Sequence, residues 1–172
     1  MLGTNICHGL VQQIQERALA RINPKIVVWL SSWERLSIKV GRHVFEAGTP
    51  QADKVLLRRM DRMLPRLTAG GARLALLTVA PFTTGTALGI DFTSNPERDA
   101  QVRHLNGLLR RFAARHPARV FVVDLANHVC PRGAPCGPDI GGRRPRPDGA
   151  HFSPEGAVWA AQWTIDGIAR AM

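Results

Sequence analysis

Three short apolar runs alternate with helical patterns along this chain, and no other feature of the sequence restricts its fold as strongly. The runs cover residues 26–30, 73–79 and 119–124, and each comes shortly after a proline or a pair of glycines. Their apolar character is continuous, which is typical of strands that are buried on both faces of a parallel sheet. The alternation therefore predicts a doubly wound α/β fold with about three parallel strands.

Four helices are expected around these strands. They are residues 9–22, a segment with Leu56, Met60, Met63, Leu64 and Leu67, a segment with Val102, Leu105, Leu109 and Phe112, and residues from Ser153 to about Arg170. In the two middle helices the apolar residues share one face. Pro65 should kink or break the second helix near its last turn. Ser153 and Pro154 form a helix start in which the serine hydroxyl is the N-cap.

Length and hydropathy indicate the domain organisation. A chain of 172 residues is long enough for one domain with its own core, so residues 1–172 are expected to form a single domain. The sequence has no run of about 18 apolar residues, and residues 1–21 are too polar for a signal peptide. Neither a membrane span nor an export signal is therefore expected. The segments 36–49 and 82–95 are expected to be long loops at the rim of the sheet, where sites often form.

The chain is strongly basic, with 23 basic and 13 acidic residues, a net charge of +10, and twenty arginines. A nucleic-acid partner is one interpretation of this excess. The arginines, however, are scattered over three predicted helices and a loop, without interleaved aromatic residues or a recognition helix. Solvated helix faces with a general affinity for anionic surfaces are favoured, and no specific nucleic-acid partner is expected.

Ligands of an open parallel sheet bind at the carboxyl ends of its strands, so the residues that follow the strands are the candidates for a site. Asp148 and His151 lie in the loop after the last strand, directly before the C-terminal helix. An aspartate three residues before a histidine, across the permissive Gly149, can turn its carboxylate onto the imidazole N–H and leave the opposite nitrogen as a base. The alternative is a hydrogen bond that only shapes the start of the helix.

A second candidate region follows the first strand and consists of Ser31, Ser32, Trp33 and Glu34. Ser31 and Ser32 are the only serines at a strand end, but nothing beside them resembles a nucleophile elbow. Trp33 and Glu34 either contribute to a substrate or oxyanion region or simply pack the start of a loop.

Cys130 and Cys136 bracket a short, turn-rich loop. A disulfide, two free thiols, and a metal site that adds His128 are the alternatives. The spacing exceeds the gap of two to four residues that is usual for paired zinc cysteines, and a fourth ligand is not evident. A disulfide is therefore favoured, which would indicate an oxidising compartment, and no metal is expected. The spacing of His128 from Asp124 suits a local structural hydrogen bond.

Several segments resemble one family. The segment DGAHFSPEGA, residues 148–157, resembles the last signature block, Asp-x-x-His, of the SGNH (GDSL-like) hydrolases. The segment IVVWLSSWE, residues 26–34, resembles their third block with Trp-Glu in place of Asn-Asp. With further similarity in LTAGGARLALLTVAPF and in PERDAQVRHLNGLLRRFAARHPARVFVVDL, residues 24–171 resemble the SGNH domains at the C-terminus of membrane acyltransferases, which O-acylate cell-surface glycans in high-GC bacteria.

The resemblance implies a flavodoxin-like, three-layer α/β/α fold of about five strands, of which this chain has the last three. It implies catalytic roles for Asp148 and His151, no cofactor, an acyl ester or glycan substrate, and an upstream membrane acyltransferase domain as a partner. The location would be extracytoplasmic or in the cell envelope. The Gly-Asp-Ser nucleophile of the family occurs nowhere in the sequence. Its strand would precede Met1, and the asparagine of the third block falls opposite Trp33.

The expected function is ester hydrolysis or O-acyl transfer by a Ser-His-Asp mechanism whose serine is absent from this chain. The chain alone is therefore expected to be inactive and prone to self-association. The alternatives are an inactive remnant that serves as a binding or accessory domain, a truncated product that scarcely folds, and a basic protein that binds nucleic acid or anionic surfaces.

Overall fold

The secondary structure follows the predicted alternation of helices and strands. The structure is a computed structural model and describes residues 5–87, 90–91 and 93–172. Its helices are α1 (Asn5–Ile22), α2 (Pro50–Leu67), α3 (Pro96–Arg115), α4 (Leu125–Val129) and α5 (Pro154–Ala171). Its strands are β1 (Ile26–Trp29), β2 (Ile38–Val40), β3 (His43–Phe45), β4 (Arg73–Leu77), β5 (Thr86–Ala87), β6 (Ile90–Asp91) and β7 (Val120–Val123). The predicted α/β class is confirmed.

Strands β1, β4 and β7 form one sheet in that order, with β4 at the centre. β1 runs parallel to β4. Between β4 and β7, Leu74 N donates to Arg119 O and Thr78 N donates to Val123 O. Both partners advance by the same number of residues in the same direction, which is the parallel arrangement. The three predicted parallel strands are thus confirmed, each with limits close to those expected from the apolar runs.

β1 is an edge of this sheet and is less buried than its sequence predicts. Four of the five residues of β4 are buried, whereas Val28 and Leu30 are 47% and 49% exposed. The burial on both faces that the apolar run predicts is therefore not reached, and residues 26–30 lie at an open edge of the described sheet, as expected when the strand that should precede β1 is not among these residues. The physical reason is that β1 pairs with one strand only among those that the structure describes, and an edge strand leaves apolar surface and backbone groups open.

The chain divides into two compact units, each with its own core. One unit consists of Met1–Leu76 and Gly107–Val122, and the other of Leu77–Asn106 and Val123–Met172. The core of the first includes Leu56, Met60, Leu64, Leu74 and Phe112, and that of the second includes Leu77, Val102, Leu105, Val123 and Val129, all no more than 5% exposed. The apolar faces predicted for α2 and α3 are the buried faces, except that Met63 of α2 is only half-buried.

The helix limits agree with the sequence signals. Ser153 Oγ accepts a hydrogen bond from Gly156 N at 3.0 Å, and Pro154 is the first residue of α5, as predicted. In α2, Pro65 lies inside the last turn and the helix ends at Leu67. None of the helices in the described part of the chain is both long enough and apolar enough to cross a membrane.

The two segments that are expected to be loops each contain a short antiparallel pair of strands. β2 pairs with β3 inside residues 36–49, and β5 pairs with β6 inside residues 82–95. Gly41, in the turn between β2 and β3, has a φ of +59°, which glycine adopts without steric cost. The expectation of irregular loops is wrong in this respect, because strands of two or three residues are too short to produce a readable alternation.

Candidate active site

A hydrogen bond joins Asp148 and His151, as their spacing predicts. Asp148 Oδ2 and His151 Nδ1 are 2.7 Å apart. A carboxylate only accepts hydrogen bonds, so Nδ1 carries the proton of the neutral ring and Nε2 carries the lone pair. Nε2 is therefore the ring nitrogen that can take a proton from a reacting group. We refer to Asp148 and His151 together as the dyad.

The turn that carries Asp148 fixes the direction of its carboxylate. Gly149 N donates to Arg146 O at 3.0 Å, which closes a turn around a proline. Asp148 Oδ1 accepts hydrogen bonds from the backbone N–H groups of Ala150 at 2.9 Å and of His151 at 2.7 Å. Since Oδ1 is held by the backbone in this way, Oδ2 is left facing the imidazole.

The dyad combines a partly buried aspartate with an accessible histidine. The side chain of Asp148 is 23% exposed and that of His151 is 68% exposed. Burial raises the pKa of Asp148, but the hydrogen bonds from Ala150 N and from the ring and N–H of His151 outweigh this effect and lower that pKa below 3.8. Asp148 is therefore ionised at neutral pH and is able to stabilise a positive charge on His151.

The backbone of residues 81–85 supports the turn of the dyad. Thr83 N donates to Gly149 O at 3.0 Å. Gly149 has a φ of +85°, and a Cβ atom there would come within 3.1 Å of Gly85 N. A Cβ atom on Gly85 would overlap the carbonyl group of Asp148. The close approach of the two backbone segments therefore requires glycine at both positions.

On its C-terminal side, His151 is connected to the anchored start of α5. Ser153 N donates to Pro145 O at 2.9 Å, and the hydroxyl of Ser153 caps the helix. A Cβ atom on Gly156 would overlap Pro145 O, so the first turn of α5 lies directly against the segment that precedes the dyad. His151 thus lies on a short link between a closed turn and a capped helix.

Arg146 is the part of this site that the sequence analysis misses. It is 4% exposed. Its Nη1 donates to Pro81 O at 2.7 Å, and its Nη2 donates to Cys136 Sγ at 3.2 Å. Residue type alone places it among the solvated arginines of a basic loop. Only its position two residues before Asp148 distinguishes it in the sequence.

Residues 31–34 follow the carboxyl end of β1, in the compact unit that does not contain the dyad. Ser31 and Ser32 are half-buried, and a single 3-10 turn starts at Trp33, whose side chain is 60% exposed. Glu34 Oε2 is buried and has no hydrogen-bond partner among the described residues. A catalytic or oxyanion role for this region stays a prediction.

Cys130 and Cys136 are free, buried thiols, so the predicted disulfide is not formed in this structure. Cys130 Sγ donates to Gly133 O at 3.0 Å, and Cys136 Sγ donates to Val129 O at 3.6 Å. Burial, and after it the neighbouring Cys136 thiol, raises the pKa of Cys130 to about 12. Backbone carbonyls thus satisfy both thiols within the loop without a covalent bond.

His128 lies in α4, and its backbone N–H donates to Asp124 O at 3.4 Å as part of that helix. Nε2 of its ring is buried without a hydrogen-bond partner among the described residues, so the side-chain hydrogen bond suggested by the spacing stays a prediction. Its ring stacks on two tryptophans of α5, with centroid distances of 4.1 Å to Trp159 and 4.6 Å to Trp163, and burial lowers its pKa. In the part of the chain that the structure describes, no three His, Cys, Asp or Glu side chains converge into a metal-binding group.

The geometry of the dyad is the main basis for assigning a chemistry. No protein-family model matches this chain, and no curated protein matches it. An ionised aspartate that holds the Nδ1–H tautomer of an accessible histidine can accept a proton and return it during a reaction. Such a pair needs a nucleophile beside Nε2 to catalyse acyl transfer.

Proposed function

We propose that Asp148 and His151 are the acid-base part of a serine-type ester hydrolase or O-acyl transfer site. The observation that carries this proposal is the 2.7 Å contact between Asp148 Oδ2 and His151 Nδ1, made by an ionised carboxylate and an accessible ring. An aspartate in this position holds the tautomer in which Nε2 is basic. A serine from outside these 172 residues is the proposed nucleophile, because the sequence contains no Gly-Asp-Ser.

In the proposed reaction, Nε2 of His151 takes the hydroxyl proton of the serine while the serine oxygen attacks the ester carbonyl. Asp148 stabilises the imidazolium, which then gives its proton to the departing alcohol and leaves an acyl-serine. Water or a sugar hydroxyl next attacks the acyl-serine, and His151 transfers a proton from this attacking group back to the serine. The acceptor therefore decides between hydrolysis and O-acyl transfer.

The strand order supports the same proposal. In a flavodoxin-like sheet of order 2-1-3-4-5, the last three strands are neighbours in chain order. β1, β4 and β7 are also neighbours in chain order. In such a sheet, the open edge of β1 is the place where a preceding strand would pair. We therefore propose that a strand from outside the described residues pairs with the open edge of β1 and completes the sheet.

The proposed substrate is an acyl ester of a cell-surface glycan, and the proposed location is extracytoplasmic or in the cell envelope. An upstream membrane acyltransferase domain is the proposed partner. These three points rest on the resemblance of residues 24–171 to the SGNH domains of membrane acyltransferases, and neither a family model nor a curated protein supports that resemblance. In an oxidising compartment the thiols of Cys130 and Cys136 would meet an oxidant, and a disulfide between them stays a prediction.

A second candidate function is a non-catalytic binding or accessory domain. Two sequence observations favour it, namely the absence of Gly-Asp-Ser and the presence of Trp33 where the similar hydrolases have asparagine. In that case the dyad would serve only to shape the start of α5.

The test begins with translation of the DNA upstream of the Met1 codon in all three frames, in search of an apolar strand followed by Gly-Asp-Ser. A protein that includes such a segment should hydrolyse an activated acetyl ester, and His151→Ala should abolish the turnover. His43→Ala, at an exposed histidine of β3, is the matched control and should have no effect. Turnover that survives His151→Ala would overturn the proposal.

A further inference from the structure

Arg146 is the most deeply buried charged side chain among the described residues, at 4% exposure. A buried guanidinium lowers stability unless its N–H groups find acceptors. Its Nη1 and Nη2 have Pro81 O and Cys136 Sγ as acceptors, while its Nε is buried without a partner. The acceptors of its hydrogen bonds are a carbonyl and a sulfur, and the carboxylate of Asp148 adds an electrostatic attraction, but burial outweighs these effects and lowers the pKa of Arg146. Because burial of the Arg146 guanidinium costs stability, its role is more consistent with positioning neighbouring groups than with stabilising the fold.

Arg146 is also the first residue of the turn that carries Asp148. Its carbonyl accepts a hydrogen bond from Gly149 N at 3.0 Å, while its guanidinium donates to Pro81 O at 2.7 Å. After Asp148, Gly149 O accepts a hydrogen bond from Thr83 N at 3.0 Å. The turn is therefore joined to residues 81–85 at two points, one before Asp148 and one after it.

Two attachment points on either side of Asp148 restrict rotation of the turn. The carboxylate takes its direction from the turn, so a rotation would move Oδ2 away from Nδ1 of His151. We infer that Arg146 is a positioning residue for the dyad, and that it acts by tying the turn at the same time to the carbonyl of Pro81 and to Sγ of Cys136. The inference deepens the proposed function and rests on it for its catalytic consequence.

The experiment replaces Arg146 with methionine, which has a similar length but no charge and no donor. Arg144→Met is the matched control, because Arg144 is an exposed arginine of the same loop. The probe is NMR of the imidazole nitrogens in the 172-residue protein, in mildly alkaline buffer, with His151→Ala to assign the signals. The wild-type protein and Arg144→Met should show a His151 ring that is protonated at Nδ1 only.

Arg146→Met, if folded by circular dichroism, should lose this state and show the tautomer mixture of a free histidine. Unchanged His151 signals in the folded variant would overturn the inference. If Arg146→Met does not fold, Arg146→Lys decides in the same way. Lysine keeps the charge but lacks the planar fork that reaches both Pro81 O and Cys136 Sγ. Altered His151 signals in Arg146→Lys support the inference, and unaltered signals overturn it.

The NMR measurement needs neither a serine nor a substrate, so it separates this inference from the proposed function. If no ester is hydrolysed but the His151 signals depend on Arg146, the proposed function fails and the positioning role stands. In an active protein, Arg146→Met should lower kcat on the order of 100-fold with little change in KM, because a small misplacement of a catalytic group has an effect of that size. An unchanged kcat would overturn the positioning role.

Discussion

The turn of the dyad and the region of β1 with residues 31–34 at its carboxyl end both contain candidate site residues, and the fold constrains the two regions to different degrees. Asp148 is held by hydrogen bonds to both carboxylate oxygens and by close backbone contact with Gly85. At β1, Val28 and Leu30 are about half exposed, and Glu34 Oε2 is buried without a partner among the described residues. Among the described residues, the dyad turn has hydrogen bonds on both sides of Asp148, whereas β1 pairs on one side only and Glu34 Oε2 has no hydrogen-bond partner.

The difference teaches that the two parts of the proposed serine-hydrolase site would depend on different sets of residues. An acid-base pair at a spacing of three residues is formed by one turn and the start of one helix. A nucleophile at a strand end depends on the strands beside it, because the sheet sets the position of that end. A chain can therefore form the acid-base pair even when the strands that would position a nucleophile are missing from it.

The largest expected effect is on ester hydrolysis, which should depend on the dyad and not on the serines after β1. In a protein that contains the nucleophile segment, His151→Ala should lower kcat on the order of a million-fold, since the members of a triad act as a unit. The double variant Ser31→Ala and Ser32→Ala should change kcat by no more than a few-fold. Steady-state hydrolysis of an activated acetyl ester measures both, with the 172-residue chain expected at background.

A different result would reverse the comparison. If the 172-residue chain hydrolyses the ester, and a fluorophosphonate probe labels Ser31 or Ser32, then the end of β1 supplies the nucleophile. The open region would then be the catalytic one, and a segment from outside these residues would not be needed.

A smaller effect tests how tightly the dyad turn is held. Gly85→Ala should lower the free energy of unfolding by about 1–3 kcal/mol, because the added methyl group overlaps the carbonyl of Asp148 and the backbone must move. Gly137→Ala is the control, since its Cβ would meet no described atom closer than Asp139 O at 3.8 Å. Urea unfolding at neutral pH measures both variants. Equal stability of Gly85→Ala and the wild type would show that the turn is not tightly held.

The next effect concerns the open edge of β1. The chain is expected to self-associate through this edge, because among the described residues β1 pairs only with β4 and has half-exposed apolar side chains beside it. Val28→Lys should reduce the association, since a lysine on an edge strand opposes pairing with another strand, and it should change the stability by about 1 kcal/mol or less. Sedimentation velocity at several protein concentrations measures the effect.

Val158→Lys on α5 is the matched control, because Val158 is 71% exposed but lies on a helix rather than at a strand edge. It should leave the association unchanged. A wild-type chain that stays monomeric at every concentration would mean that the edge of β1 is protected, and the contrast between the two regions would then disappear.

Local signals account for what the sequence predicts well. The limits of β4 and β7 follow from continuous apolar runs bounded by glycine or proline. The start of α5 follows from Ser153 and Pro154, and the contact within the dyad follows from its spacing of three residues. In each case the residues that determine the feature lie within about one turn of the chain.

Contacts between distant residues account for what the sequence does not show. Arg146 and Pro81 are 65 positions apart, and no pattern connects them before the fold is known. The stacking of His128 on Trp159 and Trp163 has the same character. The burial expected for residues 26–30 fails for a related reason, since apolar residues predict a preference for burial but not the presence of a covering strand.

The smallest expected effect concerns the pH dependence of stability at the dyad. The pKa of Asp148 is lower in the folded protein than the ordinary value of 3.8, so below that pH the unfolded chain binds a proton more readily than the folded one. The stabilisation from this carboxylate is therefore fully present above its unfolded pKa and is lost as the pH falls through its folded pKa. Asp148→Asn should remove this loss.

Asparagine can still accept the two backbone hydrogen bonds through its side-chain oxygen, so the cost of Asp148→Asn at neutral pH should be only about 1 kcal/mol. The difference between variant and wild type should shrink as the pH falls below 3.8. Urea unfolding at a series of pH values measures it, with Asp166→Asn at an exposed carboxylate of α5 as the control. A difference that is the same at every pH would mean that the charge of Asp148 contributes nothing to holding the turn. The dyad turn would then be held by the hydrogen bonds of its backbone rather than by the negative charge of Asp148. Its difference from the β1 region would lie in those hydrogen bonds and not in electrostatics.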